Sequence, residues 1–262
     1  MVRVTFPKIG EKGNAKPIVR IETYFASRGI KPDYESSESI KAVLLYDPDI
    51  EEILLTRLKL KRIKSLENKI PKLLRAYISS DQKLIVALTT VGGPVTAIVI
   101  EALAYLGVRN IMLVGTAGGI SRRVSLGDIV LCDKAIRDEG TSYHYLDNSL
   151  YSYPDPKLTQ TIYKFLESNG IKFLKGTIWT TDGLYTETKE EVMSYRDIGA
   201  LCVDMETATL FAVGEKRKIR TSAIFVISNV LTLSSWTSFI NNPKNKYKVL
   251  ADVCEAFSKA KI

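Results

Sequence analysis

The chain has 262 residues, 45% hydrophobic and 25% charged, a balance that excludes a disordered polymer and suits one large domain with a substantial buried core. No apolar run approaches the roughly 20 residues that span a bilayer, and the N-terminal MVRVTFPKIGEKGNAKP lacks the apolar centre of a secretory signal, so a cytoplasmic, non-membrane protein is expected. The net charge of +8 suits an anionic ligand but speaks to association and solubility rather than to fold.

Residues 1–40 carry Gly10, Gly13, Pro17, Gly29 and Pro32 among scattered charges and read as an irregular N-terminal arm; residues 41–262 read as one α/β domain. Within it, AVLLY (42–46), LIVALT (84–89), NIMLVG (110–115), DIVLC (128–132), GTIWTT (176–181) and SAIFVIS (222–228) are predicted strands. Their continuous apolar character predicts burial on both faces. Between them lie helical patterns with recognisable ends. Pro94 suits the first turn of PVTAIVIEALAYLG and Gly107 its stop; Gly170 closes KLTQTIYKFLESN; Thr188 with Glu191 forms a capping box for KEEVMSYRDI. Alternation of this kind predicts a central mixed, largely parallel twisted sheet flanked by helices.

Between Arg57 and Arg75 the chain places eight basic side chains and one acid, Glu67, with leucine and isoleucine interleaved. The interleaving favours a solvated face over buried apolar positions, and a nucleic-acid contact is not expected. Cys132, Cys202 and Cys254 are odd in number and far apart, with no metal-ligand or redox spacing, and are expected as buried thiols. No metal site is expected.

Three stretches carry candidate chemistry. VGTAGGI (114–120) reads as a glycine-rich turn after a strand, where backbone amides could approach an anion or a sugar and Thr116 adds a hydroxyl. Its glycines have neither the G-x-G-x-x-G nor the Walker spacing. TTVGGP (89–94) leaves another strand and opens a helix, so Gly92 could offer a donor to the same crevice at the carboxyl edge of the sheet. In ALCVDMETATLFAVG (200–214) a short strand gives way to a helix with Asp204 and Glu206 at its start. Acids there are usually caps or dipole partners, but a carboxylate at a sheet's carboxyl edge can also accept hydrogen bonds from both hydroxyls of a ribose.

Taken in order, GGPVTAIVIEALAYLGVRNIMLVGTAGGISRRVSLGDIVLCDKAIRDEG and VDMETATLFAV resemble the nucleoside phosphorylase family of uridine phosphorylases, hexameric purine nucleoside phosphorylases and methylthioadenosine nucleosidases. The resemblance, uridine phosphorylase-like at the glycine segment, implies cleavage of a nucleoside's N-glycosidic bond with phosphate as co-substrate, no other cofactor, and a homo-oligomer, dimer or hexamer. It assigns Met205 and Glu206 to the sugar, Gly115 and Thr116 to phosphate and ribose, and Thr181, Leu184 and Tyr185 to the base, with Leu184 where many members carry a stacking phenylalanine. Asn229 falls where purine-specific members have an aspartate, and its amide can hydrogen-bond a departing base. Glu206 and Asn229 are therefore the expected catalytic pair, and Gly92, Gly115 and Thr116 the expected phosphate contacts.

The chain departs from the family where phosphate is gripped. Tyr46 and Ile50 replace a glycine and an arginine in YDPDI, and Leu113 replaces a second arginine, so two bidentate cationic forks are missing. The basic cluster could substitute from a neighbouring subunit. The alternatives are a nucleosidase that uses water, and a nucleoside-binding relative without turnover. His144, the single histidine, reads as structural.

Overall fold

A computed structural model describes residues 16–29, 40–64, 74–232, 236–238 and 244–261. Its centre is one sheet. Strands β5 (Val108–Gly119), β9 (Ala200–Asp204), β8 (Leu174–Thr181), β6 (Ile129–Asp138) and β10 (Arg220–Leu231) are paired in that order, and β10 pairs β5 again, so the five close into a ring. From β5 the sheet extends outward through β1 (Ile40–Leu45), β4 (Leu84–Thr89), β3 (Leu74–Ile78) and β2 (Lys61–Arg62); β7 (Tyr151–Ser152) and β11 (Trp236–Ser238) are short additions to β6 and β10. The long ladders, β1 with β4 and β5, β10 with β5, and β6 with β8, are parallel, while β3–β4, β10–β6 and β5–β9 are antiparallel. The sheet is mixed, as its sequence pattern predicts.

The apolar runs are continuous because both faces are covered. Along β1, Ala42 and Leu44 join one hydrophobic cluster while Val43 and Leu45 join another. The first is covered by helices α3 (Gly93–Tyr105) and α6 (Thr207–Arg217), through Val99, Ile100, Leu103, Leu210 and Phe211. The second is covered by α2 (Pro48–Leu58), α4 (Pro156–Ser168) and α7 (Lys244–Lys259), through Ile50, Leu54, Leu158, Ile162, Leu250 and Phe257. Each such side chain withdrawn from water contributes about 1.5–3 kcal/mol before chain entropy is counted. Lys41 is the polar exception on β1. Its Nζ donates to the carbonyls of Phe257, Ser258 and Ala260 at 3.0, 2.8 and 2.5 Å, so a cation satisfies the carboxyl end of α7.

The helix ends follow the sequence signals. Pro94 sits in the first turn of α3, whose exit runs through Gly107 at φ +91°. In α5 (Lys189–Asp197), Thr188 accepts from the Glu191 amide while Glu191 accepts from the Thr188 amide, which completes the capping box. Asp155 caps α4 by accepting from the Leu158 amide at 2.7 Å, and Gly170 follows that helix at φ +65°.

Two local features differ from expectation. The N-terminal segment contains a short helix, α1 (Ile21–Ala26), because Phe25 is buried and packs edge-on against Tyr105. The segment VGTAGGI does not turn: residues 114–119 continue β5, paired with β10 and then β9. The cause is close approach. A Cβ at Gly118 would lie 2.9 Å from Leu231, 3.0 Å from the Asn229 amide and 3.1 Å from Val203, so glycine lets the ring close here.

In the basic cluster, Arg57 pairs with Asp252 and Arg75 with Glu51 at 2.8 Å, while Lys61 and Arg62 are exposed; residues 65–73 of the cluster lie outside the described residues. Cys132, Cys202 and Cys254 are buried free thiols. No helix among the described residues is long and apolar enough to cross a membrane.

Candidate active site

The carboxyl ends of β1, β5, β9 and β10 and the segments that follow β4 and β8 meet around a cavity of about 380 Å³. Gly115, Thr116, Ala117 and Gly118 of β5 form its floor with Phe225, Ser228 and Asn229 of β10; Val203, Asp204, Met205 and Glu206 contribute a wall; Tyr46, Asp47, Pro48, Val91 and Leu184 complete the rim. A crevice outside the carboxyl ends of strands is where open α/β sheets hold small ligands.

The two acids that open α6 have different tasks. Asp204 is the cap: its Oδ2 accepts from the Thr207 amide at 2.8 Å and the Thr207 hydroxyl at 2.5 Å, while its Oδ1 accepts from the Thr180 hydroxyl at 2.7 Å. The Thr180 oxygen in turn accepts from the Ala208 amide at 3.0 Å. Glu206 makes no cap. Its side chain turns to the cavity, where Oε1 accepts from the Gly92 amide at 2.6 Å. Glu206 is 6% exposed, and burial, reinforced by the nearby Asp204 charge, pushes its carboxyl up to about 8 against the bond from Gly92. Burial also raises Asp204.

Gly92 is the residue before α3 and has φ +109°, with no atom within 4 Å of where a Cβ would stand. Glycine is required there for backbone conformation rather than for space. The Gly92 carbonyl accepts from the Thr96 hydroxyl at 2.9 Å, and the Tyr46 hydroxyl lies 2.6 Å from the same Thr96 oxygen. Burial raises the Tyr46 phenol well above its ordinary value, with the Glu206 charge adding to the effect.

Of the expected residues, Gly115, Thr116, Leu184, Met205, Glu206 and Asn229 line the cavity together. Asn229 accepts from the Ser228 hydroxyl at 3.0 Å through Oδ1, which leaves its amide nitrogen as the donor. Thr181 is buried at the end of β8, its hydroxyl accepting from the Gly183 amide at 3.2 Å, and is not a lining residue. Tyr185 is 97% exposed and also outside the lining, whereas Leu184 sits half exposed at the rim. The Gly92 amide faces Glu206 rather than open space. His144 lies in a single 3₁₀ turn, exposed and outside the lining.

The missing cationic forks are explained by packing. Ile50 and Leu113 are fully buried in the two hydrophobic clusters, where a guanidinium would have no water. Among the described residues no lysine or arginine lines the cavity, whose lining includes the acids Asp47, Asp204 and Glu206. Asp47 has other partners: it accepts from the Asp49 amide at 2.9 Å and from the Tyr247 hydroxyl at 2.8 Å. Sequence reasoning did not find Thr96, which is fully buried in α3 and carries no motif.

Fold and cavity together define an α/β protein with a partly polar cavity at the carboxyl edge of its sheet. The chain belongs to the Phosphorylase superfamily, whose profile matches residues 42–259. It is 30% identical over 148 residues to guanosine phosphorylase of Halorubrum lacusprofundi, a match covering 56% of this chain and 61% of that one. It is 30% identical over 150 residues to uridine phosphorylase of Treponema pallidum, covering 53% and 58%. The chain thus spans about three-fifths of the length of these curated relatives. The crystal structure of uridine phosphorylase from Vibrio fischeri shares the fold, with a TM-score of 0.70 at 21% identity over 89% of this chain and 98% of that one.

Proposed function

We propose that the protein is a nucleoside phosphorylase, a pentosyltransferase that cleaves the N-glycosidic bond of a purine or pyrimidine nucleoside with phosphate. The observation that carries this reading is Glu206: a buried carboxyl at the carboxyl edge of the sheet, turned away from its own helix and into a cavity shared with Met205, Thr116 and Asn229. Its carboxylate is suited to accept from ribose hydroxyls, and Met205 offers the sugar an apolar contact. As the bond from the anomeric carbon to the base breaks, the electron pair leaves with the base and positive charge grows on the sugar. The Glu206 carboxylate stabilises that charge, and the Asn229 amide donates to the base. A phosphate oxygen near Gly115 and Thr116 then bonds to the anomeric carbon, giving ribose 1-phosphate and free base. Leu184 at the rim is the apolar contact for the base, with exposed Tyr185 able to reach it only from outside the lining. Thr181, behind the rim, supports the Gly183 turn.

A specific observation favours water as a second reading for the acceptor: among the described residues the lining includes three acidic side chains and no cation, a poor environment for a phosphate dianion. Homo-oligomerisation, as dimer or hexamer, remains part of the proposal because a neighbouring subunit is one source of cationic side chains. A cytoplasmic location accompanies it.

The test is to incubate the purified protein with uridine, inosine, adenosine and methylthioadenosine, with and without phosphate, and to measure base and sugar products. Phosphate-dependent base release with ribose 1-phosphate supports the phosphorylase. Release of free ribose without phosphate supports the hydrolase, and nucleoside binding without release removes both enzyme readings.

A further inference from the structure

We propose that Tyr46 and Thr96 are positioning residues for Glu206, acting through Gly92, so that the Tyr46 hydroxyl sets how well the site engages the hydroxyls of a ribose. This rests on the reading of Glu206 as the ribose-binding carboxyl.

The direction of the hydrogen bonds makes the chain continuous. The Thr96 hydroxyl has one proton and donates it to the Gly92 carbonyl at 2.9 Å. The Tyr46 hydroxyl, 2.6 Å from the same oxygen, is therefore the donor to Thr96. The Gly92 carbonyl also accepts from the Thr96 amide at 3.1 Å, while the Gly92 amide donates to Glu206 Oε1 at 2.6 Å. Gly92 is consequently held on both its flanking peptides. A glycine at φ +109° with open space around it has wide conformational freedom, and hydrogen bonds to both flanking peptides are what restrict it. Tyr46 reaches this point from the end of β1, Thr96 from α3 and Glu206 from the start of α6, so three separate elements converge on one peptide turn.

Electrostatics support the same assignment. Burial and the Glu206 charge keep the Tyr46 phenol protonated, so it remains a donor across the working pH range. Among the described residues the charged and titratable groups facing Glu206 are Asp204 at the end of β9, Asp182 after β8 and Tyr46 after β1, with Asp47 lining the same cavity. Asp204 and Asp182 disfavour a second negative charge, and the Gly92 and Met205 amides oppose them. Loosening Gly92 removes its share of that opposition.

Tyr46→Phe deletes one oxygen and keeps the ring; Thr96→Val and Thr96→Ser separate loss of the hydroxyl from loss of a methyl. For a ribonucleoside, Y46F and T96V are expected to raise KM roughly tenfold, the scale of one lost hydrogen bond to a charged group. For the matching 2′-deoxyribonucleoside the change should stay within about twofold, and T96S should behave as wild type, because the relay serves the hydroxyl handle. A carboxyl-carbon NMR titration of Glu206 without ligand gives an independent readout, with the midpoint moving upward in Y46F and T96V and staying in T96S. A shifted midpoint in a protein that cleaves no nucleoside would retain the relay and remove the proposed function. Turnover in wild type with unchanged titration and unchanged ribonucleoside KM in both Y46F and T96V would overturn the relay.

Discussion

The Gly92 amide and the Glu206 carboxyl, 114 positions apart, are joined by a 2.6 Å hydrogen bond that ties the start of α3 to the start of α6. That bond turns an acid at a helix entrance into a wall of the cavity. Glu206 is thereby held with its carboxyl lining the cavity, where a ligand can reach it.

The raised carboxyl gives a pH signature in activity. With Glu206 held up to about 8 in the free protein, kcat/KM for a ribonucleoside should rise with pH through about 8 as the carboxylate forms. The kcat profile should have a lower midpoint, because bound hydroxyls donate to the ionised form and stabilise it. Rate profiles between pH 5 and 9 check both limbs; a flat kcat/KM across that window is the contrary result.

The same group shapes stability. A carboxyl whose ordinary value is 4.5 and which is raised to about 8 on folding holds its proton in the native state while the unfolded chain has lost it. Its contribution is fully present below about 4.5 and is lost as pH rises through about 8, with a slope of at most about 1.4 kcal/mol per pH unit. Urea denaturation from pH 5 to 8.5 should therefore show a steeper decline for wild type than for Glu206→Gln.

Asn229 depends on Gly118. A Cβ at position 118 would stand 3.0 Å from the Asn229 amide nitrogen and 2.9 Å from Leu231. Gly118→Ala should displace that amide and lower kcat, with a stability loss of about 1–3 kcal/mol from overpacking. Asn229→Ala should lower kcat without the stability loss. Steady-state kinetics and denaturant melts on the two variants separate the effects.

Arg137 is buried, and among the described residues it makes no hydrogen bond to a carboxylate. It donates to the Ser142 hydroxyl at 2.8 Å and to the carbonyls of Asp147, Leu146 and Ser149 at 2.7, 3.2 and 3.3 Å, so it organises the chain after β6. Arg137→Met leaves those acceptors unsatisfied and should cost about 3 kcal/mol of unfolding free energy. Hydrogen exchange should show the loss of protection concentrated in residues 142–150.

The strands legible in the sequence are those whose residues alternate between two covered faces, because Ala42–Leu45 or Ile111–Val114 then read as unbroken apolar runs. β3 was not legible: Arg75 interrupts its pattern and is explained only by its pairing with Glu51 across the fold. The glycines of β5 pointed to a turn because their reason, the approach of Val203 and Leu231, is non-local. Glu206 and Asn229 were legible through motif order, which also gathered Gly115, Thr116, Leu184 and Met205 at one cavity. The division of labour between Asp204 and Glu206 was not, since both suit a helix entrance and only geometry separates the cap from the cavity wall. Tyr46 was visible as an unusual residue, but its bond to Thr96 joins side chains 50 positions apart that no pattern links.

The most direct measurement is nucleoside binding and turnover by wild type and Glu206→Ala, using uridine and inosine by calorimetry and by base release. The predicted result is binding and cleavage by wild type, with kcat/KM reduced at least about a hundredfold in the variant while its far-UV circular dichroism is unchanged. A folded Glu206→Ala protein that binds and cleaves the same nucleosides as wild type would contradict the account.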